Sequence, residues 1–217
     1  SIDAASYNRV QEDTLKEFAH IVPMKNLDKL CLFTSCGNMY QVKASAIPKG
    51  KMKDKGVLIQ SLCKVGKEDI LMYTCFETLY ESELLFATKN GYVKVVSGAE
   101  FETNRAMISS TKLEEGDELA SIVLLTASQA LATDQKVIML TDKGLSLGYN
   151  LNEVSEQKKT SRGVKGIELD AKDHVAFVGV YPVTQEIFNY NGTDMSIRKV
   201  RNRKRGAKGQ KATLTLD

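Results

Sequence analysis

The chain has 217 residues, of which 42% are hydrophobic and 26% are charged. This composition can bury a compact core and excludes a chain that is disordered along its whole length. The sequence has no run of about 18 apolar residues that could cross a bilayer, and its start lacks the basic and apolar regions of a secretory signal. We therefore expect a soluble intracellular protein with no membrane partner.

The cysteines and histidines do not form a metal-binding pattern. No Cys-x-x-Cys pair occurs among the 4 cysteines, and the only 2 histidines are His20 and His174. Structural zinc sites draw four ligands mainly from these residue types. The pattern predicts buried, reduced thiols and no metal site. Because Ser1 is not an initiator methionine and the chain stops abruptly at Asp217, we expect a segment of a longer protein.

The basic residues are unevenly distributed, although the net charge is only +3. The stretch from Arg198 to Lys211 contains eight basic residues and no acidic one, so the remainder of the chain is net acidic. Smaller basic groups recur at residues 49–55 and 158–165. Localised positive charge favours an anionic partner. For any single run, a solvated loop or tail is the alternative interpretation.

An apolar run followed by a Thr-x-x-Gly turn occurs three times, and a looser copy follows. The turns are Thr34–Gly37, Thr88–Gly91 and Thr141–Gly144, and the fourth copy turns at Asn191-Gly192. The four glycines are 54, 53 and 48 residues apart. This spacing predicts an internal repeat with copies at about residues 28–80, 81–133, 134–184 and 185–217.

Each turn separates two short apolar runs, which predicts a β-hairpin in every repeat. In the first, third and fourth repeats the returning strand has apolar residues three and five positions after the glycine. This alternation is typical of a strand with one buried face. The second repeat breaks the alternation, because Lys94 and Val96 occupy these positions.

A loop rich in Lys, Arg and Gly follows the hairpin, clearest at residues 161–166 and 204–209, with weaker versions at 53–56 and 104–106 in the first two repeats. A third strand, an acidic turn and an aliphatic fourth strand are predicted after it. The third strands are expected at residues 57–62, 107–113 and around 167–169, and the fourth strands at 70–73, 119–125 and 175–181. Four strands in about fifty residues are typical of a propeller blade. Only residues 13–18 indicate a short helix.

The two ends of the chain carry complementary pieces of one blade. The fourth repeat stops after its third strand, and residues 17–22 resemble a fourth strand without a hairpin. Pairing these pieces would cover an exposed sheet edge. We therefore predict an all-β, propeller-like array of about four to five four-stranded blades. It would form one domain over residues 1–217, with residues 1–27 completing a blade.

Several motifs in register resemble the C-terminal domain of the A subunit of bacterial type IIA DNA topoisomerases, the family of DNA gyrase and topoisomerase IV. They are the Thr34–Gly37 turn, Tyr40, Ile47-Pro48, and the Arg-Gly-x-Lys-Gly loops at 162–166 and 205–209, and the opening residues 2–9 are also similar. The resemblance implies a β-pinwheel, a disc whose blades exchange a hairpin, with double-stranded DNA bent around a basic outer rim. It also implies a bacterial, cytoplasmic, nucleoid-associated protein.

The type of topoisomerase is indicated by a string that the sequence lacks. Gyrase carries Gln-Arg-Arg-Gly-Gly-Lys-Gly in its first blade, whereas the nearest match here is residues 203–209, at the other end of the chain. This departure favours the A subunit of topoisomerase IV, and the A subunit of gyrase is the alternative. A propeller-type protein-interaction scaffold is the alternative from another class.

We expect no catalytic residue and no cofactor in this chain. No tyrosine directly follows an arginine, as it does at the family's DNA-cleavage site, and no nucleotide-binding Gly-x-x-x-x-Gly-Lys-Ser/Thr string occurs. The resemblance implies that ATP and Mg²⁺ belong to the full enzyme. It also implies two protein partners there, the breakage-reunion domain of the same chain and the ATPase-bearing B subunit.

The candidate DNA contacts are basic residues in or near the Gly-rich loops. Lysine and arginine bind the phosphates of duplex DNA through counterion release, with little reading of sequence. The loop glycines are expected to let the backbone approach phosphate closely. The candidates are Arg201, Arg203, Lys204, Arg205, Lys208 and Lys211; Lys158, Lys159, Arg162 and Lys165; Lys49, Lys51, Lys53 and Lys55; and Arg105.

Overall fold

The structure is a computed structural model that describes residues 1–216. Its strands are β1 (Lys29–Thr34), β2 (Asn38–Lys43), β3 (Ile70–Cys75), β4 (Glu83–Thr88), β5 (Tyr92–Ser97), β6 (Met107–Ser109), β7 (Leu119–Leu125), β8 (Gln135–Thr141), β9 (Leu145–Asn150), β10 (Val164–Lys165), β11 (Val175–Pro182), β12 (Ile187–Tyr190), β13 (Thr193–Ser196) and β14 (Gln210–Lys211). The helices are α1 (Ala4–Tyr7), α2 (Glu12–Leu15), α3 (Ile59–Leu62), α4 (Phe76–Tyr80) and α5 (Ala127–Leu131). None of the helices described is long and apolar enough to cross a membrane.

The four predicted hairpins are present and organise the fold. Each of the first three forms the middle of a four-stranded sheet, and the fourth, β12–β13, forms a two-stranded sheet. The turn glycines Gly37, Gly91, Gly144 and Gly192 all have positive φ, between 76° and 91°, which a residue without Cβ adopts readily. The prediction of an all-β fold is confirmed.

The three four-stranded sheets share one strand order, β3-β1-β2-β6, β7-β4-β5-β10 and β11-β8-β9-β14. One edge of each sheet is the aliphatic strand that follows the hairpin in the same repeat. These edges, β3, β7 and β11, pack against one another in sequence, and we call them the inner strands. The other edge is a short strand from the next repeat. We call β6, β10 and β14 the exchange strands, because each leaves its own repeat to complete the preceding sheet.

Strand exchange occurs in a simpler form than the resemblance implied. The element that crosses between repeats is one strand of two or three residues, and each hairpin stays with its own repeat. β6, for example, pairs with β2 from Asn38↔Ser109 to Tyr40↔Met107. The outer strand of each hairpin would otherwise present unpaired N–H and C=O groups. The exchange therefore satisfies a sheet edge and links successive repeats.

Most of the core lies between adjacent sheets, where the hairpins supply both faces of it, and a further cluster packs the first sheet against residues 47–65. On β4, Leu84 and Phe86 belong to the cluster shared with the first sheet, whereas Leu85 and Ala87 belong to the cluster shared with the third. Successive side chains on a strand point to opposite faces. A strand between two interfaces is therefore apolar throughout, which explains the uninterrupted apolar runs before each turn.

The repeated acidic turns bind the hairpin turns. Asp117 accepts hydrogen bonds at Oδ1 from the backbone N–H groups of Asn90 and Glu118, at 3.0 and 2.8 Å. Asp173 accepts in the same way from Lys143 and His174, at 3.1 and 2.9 Å. Both aspartates are buried. In the described fold these carboxylates connect the hairpin turn and the acidic turn of each repeat through backbone donors.

Two predicted strands are wrong and a third is displaced. Around residues 167–169 the structure has only an isolated bridge at Glu168, and the strand in that region is β10, Val164–Lys165. Residues 57–62 contain helix α3 in place of a third strand, and residues 17–22 contain no strand. Residues 57–62 occupy the position of an exchange strand, but residues 1–216 contain no preceding sheet to receive them. A segment whose pairing partner is absent gains nothing from an extended conformation.

The predicted pairing of the two ends of the chain is not seen in residues 1–216. His20 packs on Tyr73 of the first sheet, with ring centroids 4.7 Å apart. The C-terminal segment instead pairs with the hairpin of its own repeat, where the Ser196 N–H donates to the Leu214 carbonyl at 2.8 Å. Of the predicted helix at residues 13–18, the structure contains α2, which begins one residue earlier and is shorter.

Candidate nucleic-acid interface

Most predicted basic residues flank the exchange strands, at the sheet edge opposite the inner strands. We call this edge the outer rim. Arg105 lies two residues before β6, the group from Lys158 to Lys165 leads into and ends β10, and the group from Arg201 to Lys211 leads into and ends β14. These residues are exposed except for Lys159 and Arg205, which are half-buried. The fold thus places the basic groups of three repeats at corresponding positions.

The basic loops of the third and fourth repeats are joined to each other. The Gly206 N–H donates to the Gly166 carbonyl at 2.9 Å. Arg205 Nη1 donates to the Lys165 carbonyl at 2.5 Å, and Arg205 Nε donates to the Glu153 carbonyl at 2.6 Å. The two loops therefore form a continuous surface. The guanidinium of Arg205 is therefore used to connect segments of the chain.

Four other candidates pair with acidic side chains. The pairs are Arg162–Glu114, Lys158–Glu100 at 3.1 Å, Lys165–Glu168 at 3.8 Å and Lys208–Asp170 at 2.7 Å. Arg162 also lies over the Tyr92 ring, and Lys112 shares a surface groove with it. Exposed ion pairs contribute little to stability. Their consequence here is electrostatic, since they reduce the positive charge that this part of the rim presents.

The fourth-repeat end of the rim carries more available positive charge. Within residues 1–216, Arg201, Lys204 and Lys211 make no ion pair. Arg201 and Lys211 line a groove together with Ser146, Gln210 and Ala212. This groove lies beside β14, so it is open at the outer rim. Among the described residues, the group from Arg201 to Lys211 thus has more cations without an ion pair than the group from Lys158 to Lys165.

The lysines of the first repeat lie in a different setting. Lys49, Lys51, Lys53 and Lys55 are exposed, but their segment contains no strand. It lies beside the start of the chain, where the Gly50 N–H donates to the Ser1 carbonyl at 2.8 Å. These four lysines therefore do not flank an exchange strand. The reason is the same as for residues 57–62, since residues 1–216 contain no preceding sheet with which such a strand could pair.

The glycines of the basic loops pack against the preceding hairpin. A Cβ added at Gly163, where φ is +101°, would lie 2.6 Å from the Val93 carbonyl oxygen. A Cβ at Gly209 would lie 2.9 Å from the Leu145 Cβ. Both distances are shorter than a carbon atom permits. The observed role of these glycines is close packing between repeats, and their predicted approach to phosphate stays a prediction.

Sequence reasoning missed one residue that shapes this surface. Lys94 is only 1% exposed, and its Nζ donates to three carbonyls of the third-repeat loop, those of Lys158, Lys159 and Ser161. Burial lowers the pKa of Lys94 to about 8. The signal in the sequence was the break in apolar alternation, because a lysine at a core position needs polar partners nearby.

Antiparallel sheets built on hairpins, linked by strand exchange and basic along one edge, define a propeller-like β-pinwheel domain. A family model described as the DNA gyrase C-terminal domain, beta-propeller, matches residues 28–72, 82–126, 135–182 and 195–217. The chain belongs to this family of gyrase A C-terminal domains. The resemblance identified from the sequence is confirmed.

Curated relatives include the A subunits of both kinds of bacterial type II topoisomerase. The chain is 32% identical over 151 residues to the A subunit of DNA gyrase from Helicobacter pylori. It is 29% identical over 152 residues to the A subunit of DNA topoisomerase 4 from Staphylococcus epidermidis. Each alignment covers 68% of this chain and 18% of the relative. The chain therefore aligns with less than a fifth of the length of these relatives.

Solved structures show the same fold. The crystal structure of the C-terminal domain of DNA topoisomerase IV aligns with a TM-score of 0.77 at 21% identity, over 96% of this chain and 67% of that one. A DNA gyrase A C-terminal domain aligns with a TM-score of 0.60 at 26% identity, over 87% of this chain and 61% of that one. Both structures are C-terminal domains of topoisomerases.

Proposed function

We propose that this domain binds duplex DNA along the outer rim and bends it, as part of the A subunit of a bacterial type II topoisomerase. The observation that carries the proposal is the position of the exchange strands. β6, β10 and β14 complete successive sheets at the same edge, and basic residues flank each of them. A duplex following this edge would meet cations from several repeats.

Bending requires contacts that are spread along the duplex. A smooth bend of 40–90° costs about 1–6 kcal/mol in elastic energy. A single basic patch does not offset this cost, because straight DNA can contact it equally well. The joined loops of the third and fourth repeats supply two adjacent groups of cations, and Arg105 supplies a third position. Main-chain and side-chain contacts to phosphate carry no direct sequence information. Binding should therefore be strong at low salt and nearly independent of sequence.

In the parent protein, we propose that the domain presents bent DNA to an ATP-dependent strand-passage core. The breakage-reunion domain of the same chain and an ATPase-bearing B subunit would be its partners, and ATP and Mg²⁺ would act outside this domain, in the bacterial cytoplasm. The missing Gln-Arg-Arg-Gly-Gly-Lys-Gly string supports the topoisomerase IV type of A subunit. The 32% identity to the gyrase relative keeps gyrase as the alternative.

The test of binding is the affinity for a mixed-sequence duplex as a function of salt, measured by fluorescence anisotropy. Phosphate binding predicts a log–log slope of about −0.9 per contact. The double substitution Lys204→Glu with Lys211→Glu should weaken binding and flatten the slope. The matched control is Lys64→Glu with Lys67→Glu, which makes the same charge change on exposed residues leading into the inner strand β3. Equal effects of the two doubles would contradict binding at the rim.

The test of bending is energy transfer between dyes at the two ends of the same duplex. Addition of the domain should increase the transfer efficiency, and the Lys204→Glu, Lys211→Glu double should reduce that increase at a concentration that still saturates the DNA. A straight, saturated duplex would refute bending. An absence of salt-dependent binding would instead favour the protein-interaction scaffold.

A further inference from the structure

We propose that Lys94 is a positioning residue for DNA binding, which fixes the basic loop at residues 158–162 on the outer rim without contacting DNA itself. This inference rests on the proposed function, since it assigns a role within the same interface. It rests on geometry found between repeats, where a buried side chain of one hairpin binds the backbone of the next repeat's loop. We call this contact the loop anchor.

The anchor at Lys94 is made entirely with backbone carbonyls. Lys94 lies in β5, opposite Phe86 in the hairpin register. Its Nζ donates to the carbonyl oxygens of Lys158, Lys159 and Ser161 at 3.2, 2.9 and 2.6 Å. An ammonium group has three donors, so its hydrogen-bonding capacity is fully used. Three carbonyls that point to one buried ammonium determine the path of the loop.

Glu100 of the same repeat completes the anchor with the opposite charge. Its Oε2 accepts from the backbone N–H of Lys159 at 2.7 Å, and its Oε1 pairs with Lys158 Nζ at 3.1 Å. The second repeat thus presents a cation to the carbonyls of the loop and an anion to its N–H and ammonium groups. Both kinds of contact orient the side chains of Lys158 and Lys159 relative to the sheet.

The other two sheets contain the same kind of contact. In the third sheet, Lys136 is 7% exposed and its Nζ donates to the carbonyls of Ile197 and Val200 at 3.0 and 2.6 Å. In the first sheet, Gln41 Nε2 donates to the carbonyls of Thr103 and Arg105 at 2.8 and 2.6 Å. Each anchored segment precedes or includes basic residues of the rim. Because the contact occurs in all three four-stranded sheets, we infer that each sheet needs a side-chain donor to hold the backbone of the next repeat's loop.

The positions of the donors support this requirement. Lys29 and Lys136 both lie eight residues before their turn glycine, and Lys29 Nζ also donates to the Thr103 carbonyl, at 3.1 Å. The second repeat has Glu83 at this position, which cannot donate as a carboxylate. There the donor comes from the opposite strand of the hairpin, as Lys94. The second repeat therefore makes the same contact with a donor at a different position of the hairpin.

The loop itself is tested by hydrogen–deuterium exchange, which needs no DNA. Lys94→Met removes the donors and keeps an unbranched apolar side chain, and it should increase amide exchange in residues 157–163. The matched control, Lys136→Met, should increase exchange around residues 197–201 and leave residues 157–163 protected. Unchanged protection of residues 157–163 in Lys94→Met would overturn the anchor. If this variant does not fold, Lys94→Gln replaces it; its shorter amide has two donors in place of three, so exchange in residues 157–163 should increase by less than in Lys94→Met but still exceed that of wild type.

The role in binding is tested by a double-mutant cycle. Lys94→Met should weaken DNA binding roughly threefold to tenfold at moderate salt and reduce the log–log slope by about 0.9 for each phosphate that the loop no longer neutralises. In a background with Lys158, Lys159, Arg162 and Lys165 changed to Ala, the same substitution should have no further effect, because Lys94 acts through those side chains.

The outcomes of the cycle separate three cases. Undiminished affinity of Lys94→Met despite faster loop exchange would overturn the positioning role, as would an equal loss in both backgrounds. A wild-type domain that shows no salt-dependent DNA binding would reject the proposed function and with it the role of Lys94 in binding. The exchange experiment would still decide whether Lys94 anchors the loop.

Discussion

The guanidinium of Arg162 lies 4.4 Å from the centroid of the Tyr92 ring, and the two residues belong to different repeats. Tyr92 begins β5. Arg162 lies two residues before β10, the exchange strand that pairs with β5. The same guanidinium pairs with the Glu114 carboxylate. Arg162 is therefore held by an aromatic ring that stabilises its position over the sheet and by a carboxylate that neutralises part of its charge.

We predict that Glu114→Gln increases DNA affinity by about two- to fivefold, the range that corresponds to an exposed ion pair of up to 1 kcal/mol. The salt dependence should become steeper, because Arg162 gains a phosphate contact that the carboxylate had prevented. Anisotropy titrations at several salt concentrations measure both quantities. Glu115→Gln is the control, since it makes the same charge change at an exposed neighbour that forms no ion pair within residues 1–216. Equal gains would point to net charge alone.

Gly163→Ala should destabilise the domain by roughly 1–3 kcal/mol. The new Cβ would lie 2.6 Å from the Val93 carbonyl oxygen, and φ there is +101°, so the loop must move away from β5. Urea unfolding measures the loss. Gly56→Ala should have little effect, because nothing lies within 4 Å of its added Cβ. A stability of Gly163→Ala equal to that of wild type would mean that the loop is free to shift.

Asp117→Ala should cost about 1–3 kcal/mol, because two hydrogen bonds to a buried, charged acceptor are lost. Two backbone N–H groups lose their acceptor, those of Asn90 and Glu118. The control is Asp54→Ala, because Asp54 also accepts a backbone hydrogen bond, from Lys51, but in an exposed loop where water replaces it. Thermal and urea unfolding measure the loss of stability in each variant. Equal losses in Asp117→Ala and Asp54→Ala would mean that the acidic turns act only through surface charge.

The stability of the domain should rise with pH between about pH 8 and 10.5 because of Lys94. Burial lowers its pKa to about 8 from the ordinary value of 10.5. Within that window the unfolded state binds more protons than the folded state, and stability therefore increases with pH. Below about pH 8 both states are protonated and the contribution is constant.

The measurement is the free energy of unfolding of wild type minus that of Lys94→Met, determined from pH 7 to 9.5. Subtraction removes the groups common to both proteins, including Lys136, whose pKa burial also lowers. The difference should be flat up to about pH 8 and then rise in favour of wild type. A difference that stays constant up to pH 9.5 would show that Lys94 keeps its ordinary pKa.

The local elements of the fold were predictable from the sequence. Hairpins depend on a turn glycine and on alternating side chains a few residues apart, and the inner strands are aliphatic runs that begin 49 and 56 residues apart. The wrong strand at residues 57–62 shows where this reasoning ends. Its composition resembles that of the later third strands, but an exchange strand exists only when a preceding sheet receives it.

The candidate site was predictable in part. Charge density alone marked the basic runs, and the repeat placed three of the groups at corresponding positions. The sequence did not show that Arg162 pairs with Glu114, 48 residues away, or that Arg205 is used within the protein. Lys94 was visible only as an exception to a pattern, because its partners lie more than sixty residues along the chain.

By itself, then, the sequence determined the repeat, the hairpins and the location of positive charge, since these follow from neighbouring residues and from composition. The tertiary structure alone decided which cations are paired, which loops touch and which buried lysine holds them. Those properties depend on contacts between different repeats. Such contacts arise only when the chain closes long loops and brings distant backbone groups together.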